Sequence, residues 1–207
     1  MTDRMDSAAF WDSRFASEDY VFGTEPNAFL RREAGRLPQG GRVLAVADGE
    51  GRNGVHLAEQ GLDVTATDIS AAGLAKASRL AQQRGVSLTL KQVDLAAYDW
   101  PEAAFDAVVA IFVQFADPSL RANMFAGFAR TLRPGGILLL EGYRPEQLEY
   151  GTGGPKAEDN LYTESMLREA FAGWDIVSLQ SYDANIREGS GHGGMSALID
   201  LVARRPE

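Results

Sequence analysis

The stretch that most constrains the fold is residues 42–70, RVLAVADGEGRNGVHLAEQGLDVTATDIS. It begins with an apolar run that is typical of a buried parallel strand. The next residues, DGEGRNG, hold three glycines, so the backbone there can turn sharply and approach a ligand closely. A short helix and a second β-rich run follow. The stretch therefore predicts a strand, a glycine-rich turn, a helix and a second strand.

An acid, Asp68, comes directly after the second β-rich run. A carboxylate at this position can accept hydrogen bonds from both hydroxyls of a ribose. The N-terminus of the intervening helix would point at the glycine-rich turn. Turn, helix and acid together predict a site for a nucleoside cofactor. The alternative is an ordinary strand–helix–strand unit with a tight turn.

The rest of the chain continues to alternate between helix and strand, which predicts a doubly wound, mostly parallel α/β sheet with helices on both faces. The last two strands, joined by REGSGHGGM, predict an antiparallel hairpin at one edge. Residues 144–160 form a long, glycine-containing loop of a kind that often serves as a lid. The predicted helices are 7–16, 28–37, 53–60, 71–83, 118–131 and 163–172, and the predicted strands are 43–46, 62–67, 86–93, 105–115, 137–141, 175–185 and 197–204. Ser70 and Asp117 are predicted helix N-caps, and residues 133–136 a turn.

Length and composition limit the possible functions. The 207 residues suit a single domain, and the net charge of −9 argues against nucleic acid or an anionic membrane as a partner, since both need a basic face. There is no cysteine and there are two histidines, His56 and His192, so no familiar metal-ligand motif can be built. The start lacks a signal-peptide core, and no apolar run reaches the roughly 18 residues of a membrane span. We expect a cytoplasmic protein without a metal.

Two cofactors compete for the glycine-rich turn. Gly49, Gly51 and Gly54 satisfy the dinucleotide fingerprint, with which an NAD-dependent oxidoreductase seats a pyrophosphate at a helix N-terminus. However, Asp48 and Glu50 place carboxylates inside this turn, and the sheet has no second mononucleotide-binding half. S-adenosylmethionine fits better, because it has a ribose and an adenine but no phosphate, and it carries a sulfonium and an ammonium.

Several motifs in order resemble a known family. The turn, Asp68, the pair Asp94-Leu95, the strand FDAVVAIF, the turn LRPGG and the C-terminal hairpin resemble a class I S-adenosylmethionine-dependent methyltransferase. The segments FWDSRF, YVFGTEPNAFL, LRPGGILLLEGY and YGTGGPK are more narrowly similar to small bacterial methyltransferases of the tellurite-resistance type, which are thiopurine- and chalcogen-like. The resemblance covers residues 10–205.

The resemblance implies a Rossmann-like sheet of seven strands with the last strand antiparallel, in a single domain over 1–207. Residues 1–37 would be a helical lid and 38–207 the core. The cofactor would be S-adenosyl-L-methionine, leaving S-adenosyl-L-homocysteine as product. Asp68 would hold the ribose, Ile69 would pack on the adenine, and Asp94 and Leu95 would meet the adenine edge. The other predicted cofactor contacts are Ala47, Asp48, Gly49, Glu50, Gly51, Asn53, Ser70, Ile111, Phe112, Trp11, Tyr20 and Gly23.

One position departs from the family pattern. Members of the class usually carry an acid at the end of the first strand, where this chain has Ala45. That acid helps to orient the ammonium group of the cofactor. Asp48 or Glu50 could substitute for it. A cofactor-binding protein that has lost its catalytic activity is therefore a further alternative.

The acceptor side is predicted on the loops beyond the strand ends. In the resembling group, a histidine and an arginine from the hairpin region face the acceptor, and His192 and Arg187 match them here. Tyr143 borders the long loop and is the third predicted catalytic residue. A general base helps when the nucleophile arrives protonated, whereas an anionic acceptor needs positive residues. The resemblance implies a small-molecule acceptor, such as a chalcogen oxyanion or a thiol, and a monomer or homodimer.

Overall fold

The computed structural model describes residues 7–207, in which seven strands form one sheet. The strands are β1 (Arg42–Val46), β2 (Asp63–Asp68), β3 (Thr89–Gln92), β4 (Phe105–Ile111), β5 (Leu132–Tyr143), β6 (Asp175–Glu188) and β7 (His192–Arg204). The helices are α1 (Ala8–Arg14), α2 (Ala28–Glu33), α3 (Arg52–Glu59), α4 (Ala71–Arg84), α5 (Pro118–Thr131), α6 (Gln147–Tyr150) and α7 (Glu164–Ala170), with 3₁₀ turns at Ala34–Arg36 and Glu158–Asn160.

The sheet has the order β3-β2-β1-β4-β5-β7-β6. Strands β1 to β5 pair in parallel, whereas β7 is antiparallel to both of its neighbours. The predicted doubly wound, mostly parallel sheet with an antiparallel hairpin edge is confirmed. The chain moves outwards from β1 to β3 and then returns to β4 on the other side of β1. In such sheets ligands bind outside the carboxyl ends of the strands at this switch point.

The core lies in two layers, one on each face of the sheet. Successive side chains of a strand point to opposite faces. Accordingly, Leu44 and Val46 of β1 pack in one apolar cluster with residues of α5, such as Phe128. Val43 and Ala45 pack in the other cluster with residues of α2 and α3. All five side chains are at most 2% exposed, so the central strands are held from both faces.

The predicted N-caps are confirmed at both helices. The Ser70 side chain accepts a hydrogen bond from the Gly73 N–H at the start of α4, and the Asp117 side chain accepts one from the Leu120 N–H at the start of α5. Each cap satisfies a backbone donor that the first helical turn leaves free. The caps fix where these helices begin relative to the strands that precede them.

Five predicted boundaries were wrong. The third strand was predicted from residue 86, but β3 begins at Thr89. Strand β4 ends at Ile111, because Phe112 turns the chain with a φ of 56°. The residues predicted as a turn at 133–136 lie inside β5, where the register with β4 shifts. The hairpin strands extend through most of REGSGHGGM, to Glu188 and from His192. The predicted loop 144–160 contains α6 and a 3₁₀ turn.

Within residues 7–207, no helix is both long enough and apolar enough to cross a bilayer.

Candidate cofactor and acceptor site

One cavity opens outside the carboxyl ends of β1, β2 and β4, where the topology predicts a ligand. It brings together the glycine-rich turn, the ends of β2 and β4, the N-terminal segment and the tip of the hairpin. Its lining residues are Trp11, Phe15, Phe22, Ala47, Asp48, Gly49, Arg52, Asn53, Asp68, Ile69, Val93, Asp94, Leu95, Ala96, Ile111, Phe112, Phe115, Leu120 and His192. Twelve of the nineteen predicted site residues are among them.

The glycine-rich turn depends on close packing. Gly51 adopts a φ of 89°, which side-chain-bearing residues rarely tolerate. A Cβ at Gly51 would lie 2.5 Å from the Cβ of Ala77 in α4, and one at Gly54 would lie 2.5 Å from Oδ2 of Asp48. The glycines therefore let α3 start close to the end of β1 and close to α4. Gly51 supports the turn and does not itself line the cavity.

Two residues that do line the cavity hold a strained backbone. Ala47 follows β1 with a φ of 49°, and Phe112 follows β4 with a φ of 56°. The left-handed region costs a residue with a Cβ roughly 1–2 kcal/mol. The two residues end adjacent parallel strands, so both bends open the sheet edge at the same place. Such strain is concentrated at functional sites in proteins.

Asp68 presents a buried carboxylate to the cavity. Oδ2 accepts a hydrogen bond from the Gly49 N–H at 2.8 Å, and Oδ1 accepts one from the Ser70 N–H at 2.8 Å. Burial raises the pKa of Asp68, and these backbone hydrogen bonds partly offset that rise. A carboxylate offers about four acceptor sites, so each oxygen retains capacity for a ribose hydroxyl.

Asp48 supplies a second carboxylate to the same cavity. Both of its oxygens lie within hydrogen-bonding distance of the Gly54 N–H, at 3.0 and 3.2 Å, in the first turn of α3. Burial, followed by the nearby negative charge of Asp68, raises the pKa of Asp48 to about 7. A cationic ligand group would favour its ionised form. Asp48 is therefore the acid that can replace the one missing at Ala45.

Glu50 lies in the same turn and was predicted to contact the cofactor. This prediction was wrong, because its side chain does not line the cavity. Its Oε1 forms an ion pair with Nζ of Lys76 at 2.7 Å, and both side chains are 2% exposed. The carboxylate also accepts hydrogen bonds from the N–H groups of Val21 and Phe22. All of these contacts tie the N-terminal segment to α4. Glu50 therefore holds the segment that covers the cavity.

The N-terminal segment is fastened over the cavity at a second point. Oδ1 of Asp12 in α1 accepts hydrogen bonds from the Ser70 hydroxyl at 2.5 Å and from the Ala72 N–H at 3.1 Å. Trp11 and Phe15 stack with their ring centroids 5.4 Å apart. Both rings line the cavity, as does Phe22, so the segment supplies one apolar wall.

His192 forms the wall at the hairpin end. Its ring centroid lies 4.5 Å from that of Phe22 and 4.6 Å from that of Phe112. Its Nδ1 lies 3.5 Å from Oε2 of Glu188. Burial lowers the pKa of His192, and the carboxylate of Glu188 opposes this effect.

Glu188 is held by an arginine from the opposite side of the cavity. Its Oε2 accepts a hydrogen bond from Nη2 of Arg52 at 2.7 Å, and its Oε1 accepts one from Nδ2 of Asn27 at 3.1 Å. Burial alone would raise the pKa of Glu188, but His192 and Arg52 outweigh it and bring that pKa to about 2. Glu188 is therefore ionised beside the imidazole at neutral pH.

The two other predicted catalytic residues lie outside this cavity. Arg187 is exposed and lines a second cavity together with Arg31 and Arg32 of α2. The Tyr143 ring stacks on Phe112 with centroids 4.6 Å apart, and its buried hydroxyl finds no hydrogen-bond partner among residues 7–207. The placement of Arg187 follows from the pairing of β6 with β7 up to Glu188, and that of Tyr143 from its position at the end of β5, opposite Leu198 of β7. The remaining predicted residues outside the cavity are Tyr20, Gly23, Glu50, Gly51 and Ser70.

Sequence reasoning missed the pair Arg52 and Glu188. The hairpin motif could have indicated Glu188, because a tight turn at 189–191 places it directly opposite His192 in the strand pairing. Nothing local indicated Arg52, which is 136 residues away from Glu188. Further lining residues that were missed are Phe15, Val93, Ala96, Phe115 and Leu120.

The cavity fits a nucleoside cofactor that carries positive charge. Acids stand at the ends of three strands, and Ile69 and Leu95 offer apolar surface between Asp68 and Asp94. Among its described lining residues, Arg52 is the single lysine or arginine, and it is engaged by Glu188. A pyrophosphate would meet Asp48 and Asp68 without a cation to balance its charge. The residues therefore fit S-adenosylmethionine and disfavour NAD.

Comparisons with known proteins agree with this geometry. A sequence model described as a methyltransferase domain matches residues 43–136. The chain is 32% identical over 146 residues to a glycine/sarcosine N-methyltransferase from Halorhodospira halochloris, covering 67% of this chain and 50% of that protein. It is 32% identical over 130 residues to a phosphatidylethanolamine N-methyltransferase from Cereibacter sphaeroides, covering 61% of this chain and 63% of that protein.

A solved structure shows the same fold over a greater length. The N-methyltransferase NodS from Bradyrhizobium japonicum, in complex with S-adenosylhomocysteine, superposes with a TM-score of 0.71 and 14% identity, covering 98% of this chain and 100% of that one. This chain spans only about half to two thirds of the length of the two curated relatives. Residues 43–136 thus match a methyltransferase domain, and the chain as a whole shares the fold of a solved N-methyltransferase.

Proposed function

We propose that this protein transfers a methyl group from S-adenosylmethionine to a small-molecule acceptor. The observation that carries the proposal is one continuous cavity that joins the buried carboxylates of Asp48 and Asp68 to the wall formed by His192. The carboxylates suit the cofactor, and the histidine wall leaves a place for the acceptor. The methyltransferase domain match over residues 43–136 supports the same activity.

The cofactor would be held by residues at three strand ends. Asp68 would accept hydrogen bonds from the ribose hydroxyls, Ile69 and Leu95 would pack on the adenine, and Asp94 would accept from its amino group. Asp48 would face the ammonium group. When bound, S-adenosylmethionine supplies an activated methyl group on a sulfonium, whose leaving group is neutral.

The protein's own contribution to the reaction would be alignment, exclusion of water and handling of a proton. The N-terminal segment, proposed as a lid over 1–37, would close the cavity through Trp11, Phe15 and Phe22. Ile111 and Phe112 would form the floor beside the reacting carbon. His192 lies across the cavity, where it can receive a proton from an acceptor.

The first experiment is calorimetric titration of the protein with S-adenosylmethionine, S-adenosylhomocysteine and NAD in parallel. We expect the two adenosyl compounds to bind and NAD not to bind. Binding of NAD alone would overturn the proposal in favour of an oxidoreductase. Binding of the adenosyl compounds without methyl transfer to any acceptor would indicate a member that has lost its activity.

The substitution Asp68→Ala tests the placement of the cofactor. Each hydrogen bond to a charged group contributes about 1.5–3 kcal/mol, so loss of one ribose bond should weaken S-adenosylhomocysteine binding roughly 10- to 150-fold. Asp63→Ala is a matched control, because Asp63 is an exposed acid at the other end of β2. Equal affinities for the two variants would mean that the ribose is not held at Asp68.

The proposed function also includes the subtype of the protein, its location, its acceptor and its assembly. Resemblance in sequence motifs supports the tellurite-resistance type and a bacterial source, and we propose a cytoplasmic location. The relatives named above act on glycine or sarcosine and on phosphatidylethanolamine, so they do not agree on one acceptor. We retain a small molecule as the acceptor, with neither nucleic acid nor membrane as a partner, and a monomer or homodimer as the assembly.

A further inference from the structure

We propose that the acceptor is an uncharged, largely apolar molecule that presents a weakly acidic O–H or S–H group, and that His192 takes its proton while Glu188 positions the imidazole. This inference rests on the proposed function and names the acceptor class of the same cavity. It assigns to Glu188 a positioning role, since Glu188 would act through His192.

The charges around the cavity argue against an anionic acceptor. A carboxylate, phosphate or oxyanion needs a cation when it leaves water. Arg52 is the one lysine or arginine among the described lining residues. Its guanidinium already donates to Glu188 at 2.7 Å and to the Phe22 carbonyl at 3.3 Å, and its side chain is 8% exposed. The cavity thus has no cation to spare for an anion.

The other arginines near the hairpin are used elsewhere. Arg187 lines the second cavity with Arg31 and Arg32. Arg144 forms ion pairs with Asp183 and Glu146. Arg14 lies over the ring of Phe22, with its Cζ 5.4 Å from the ring centroid. None of these five side chains lines the cavity that contains Asp68 and His192. The arginine that an oxyanion acceptor would need is therefore not in place.

The surfaces around His192 suit an apolar body. Phe22 and Phe112 flank its ring, and Phe15 packs against Phe22 with the ring centroids 6.1 Å apart. Small-molecule sites combine such apolar lining with a few polar groups that fix the orientation of the ligand. Here His192 is the polar group at the apolar end of the cavity.

The contacts of Glu188 determine which imidazole nitrogen is available. Glu188 stays ionised between Arg52 and Asn27 and accepts from Nδ1 of His192. A neutral imidazole that donates Nδ1–H has its lone pair on Nε2. Burial lowers the pKa of His192, and the charged groups that face it are Glu188, Arg52 and Arg14. A neutral His192 with a free Nε2 can accept a proton.

The proposed methyl transfer accounts for every electron pair and for the proton of the acceptor. The acceptor oxygen or sulfur forms its new bond to the methyl carbon with a lone pair, while the electron pair of the broken S–C bond stays on the departing sulfur. The acceptor's proton passes to Nε2 of His192. The resulting imidazolium lies beside the carboxylate of Glu188, which stabilises it, and it returns the proton to water after product release.

The first test needs neither cofactor nor acceptor. The chain has two histidines, so ¹⁵N NMR gives two pairs of imidazole signals, and His56→Gln assigns them. We expect neutral His192 to be the Nδ1–H tautomer. Glu188→Gln should lower the pKa of His192 and reduce the share of this tautomer, whereas Glu146→Gln, an exposed acid, should change neither. A dominant Nε2–H tautomer in the native protein, or an unchanged signal in Glu188→Gln, would overturn the positioning role.

The second test compares neutral aromatic acceptors with anions. With labelled methyl donor, phenylmethanethiol and phenol, both uncharged at neutral pH, represent the proposed class, and benzoate and tellurite represent anions. We expect transfer to at least one of the first pair and to neither anion. Glu188→Gln should lower kcat about 10- to 100-fold with KM unchanged, and should shift the acidic limb of the pH profile to lower pH. Transfer to anions alone, or to no neutral acceptor, would overturn the acceptor class.

Failure of this inference and failure of the proposed function are distinguishable. If S-adenosylhomocysteine binds by calorimetry but anions alone are methylated, the acceptor class is wrong and the function stands. If S-adenosylhomocysteine does not bind, the function is wrong, and the NMR result still decides how Glu188 and His192 interact.

Discussion

The half-buried acid Asp48 allows a quantitative test of the site. Its pKa of about 7 in the folded protein exceeds the ordinary value of 3.8. The folded state therefore binds this proton more tightly than the unfolded state does. The stability that Asp48 contributes is present at low pH and is lost as pH rises from about 4 to about 7. The substitution Asp48→Asn removes this pH dependence and keeps an oxygen that can accept from the Gly54 N–H.

A difference of about three pKa units, at 1.36 kcal/mol each, corresponds to about 4 kcal/mol when the carboxyl is fully ionised. Asp48 is partly exposed to the cavity, and water there offsets some of this penalty. We therefore expect the free energy of unfolding of Asp48→Asn, minus that of the native protein, to increase by about 2–3 kcal/mol between pH 4.5 and pH 8. Any cost of burying the new amide is independent of pH and cancels in this increase.

Urea unfolding at constant ionic strength measures this quantity. Asp63→Asn, at the exposed start of β2, serves as the control and should give a difference that stays constant with pH. Parallel stability curves for Asp48→Asn and the native protein would refute the reasoning. In that case the carboxylate of Asp48 is solvated well enough that burial does not govern its ionisation.

Two further predictions concern the turn and the segment that covers it. Ala47→Gly should raise the free energy of unfolding by about 0.5–1 kcal/mol in urea, because the left-handed backbone costs alanine more than glycine loses in chain entropy; a lower stability would show that this φ carries no strain. Lys76→Met should lower the free energy of unfolding by about 3–5 kcal/mol, because Glu50 would remain buried and unpaired. Adding Glu50→Gln should recover most of this loss. Failure of the double variant to recover would mean that the pair is not what stabilises this region.

The sequence determined the features that depend on neighbouring residues. Alternating apolar runs and helical segments predicted the parallel sheet, and glycines at 49, 51 and 54 predicted the turn. Asp68 was identified because the carboxyl end of β2 must lie beside the turn in any strand–helix–strand unit. Ser70 and Asp117 were identified as caps because a cap and its N–H donor are three residues apart. These signals are local, so no knowledge of packing was needed.

Tertiary structure decided how neighbouring residues divide their roles. Asp48 and Glu50 are two residues apart in the same turn, yet Asp48 faces the cavity and Glu50 faces Lys76. The sequence could not separate them, because the direction of each side chain depends on where α4 and the N-terminal segment pack. Similarly, Phe112 was predicted inside the fourth strand but follows its end, because its left-handed φ of 56° turns the chain where the residue lines the cavity.

The acceptor wall was the part least accessible from sequence. His192 was predicted from its place in the hairpin, but its partners Glu188 and Arg52 come together through the pairing of β6 with β7 and the packing of α3 against that hairpin. Arg187 was predicted to face the acceptor, and the structure places it at a second cavity instead. Contacts between residues more than a hundred positions apart leave no periodicity or spacing in a single sequence, so only the folded chain could assign these side chains to the cavity or away from it.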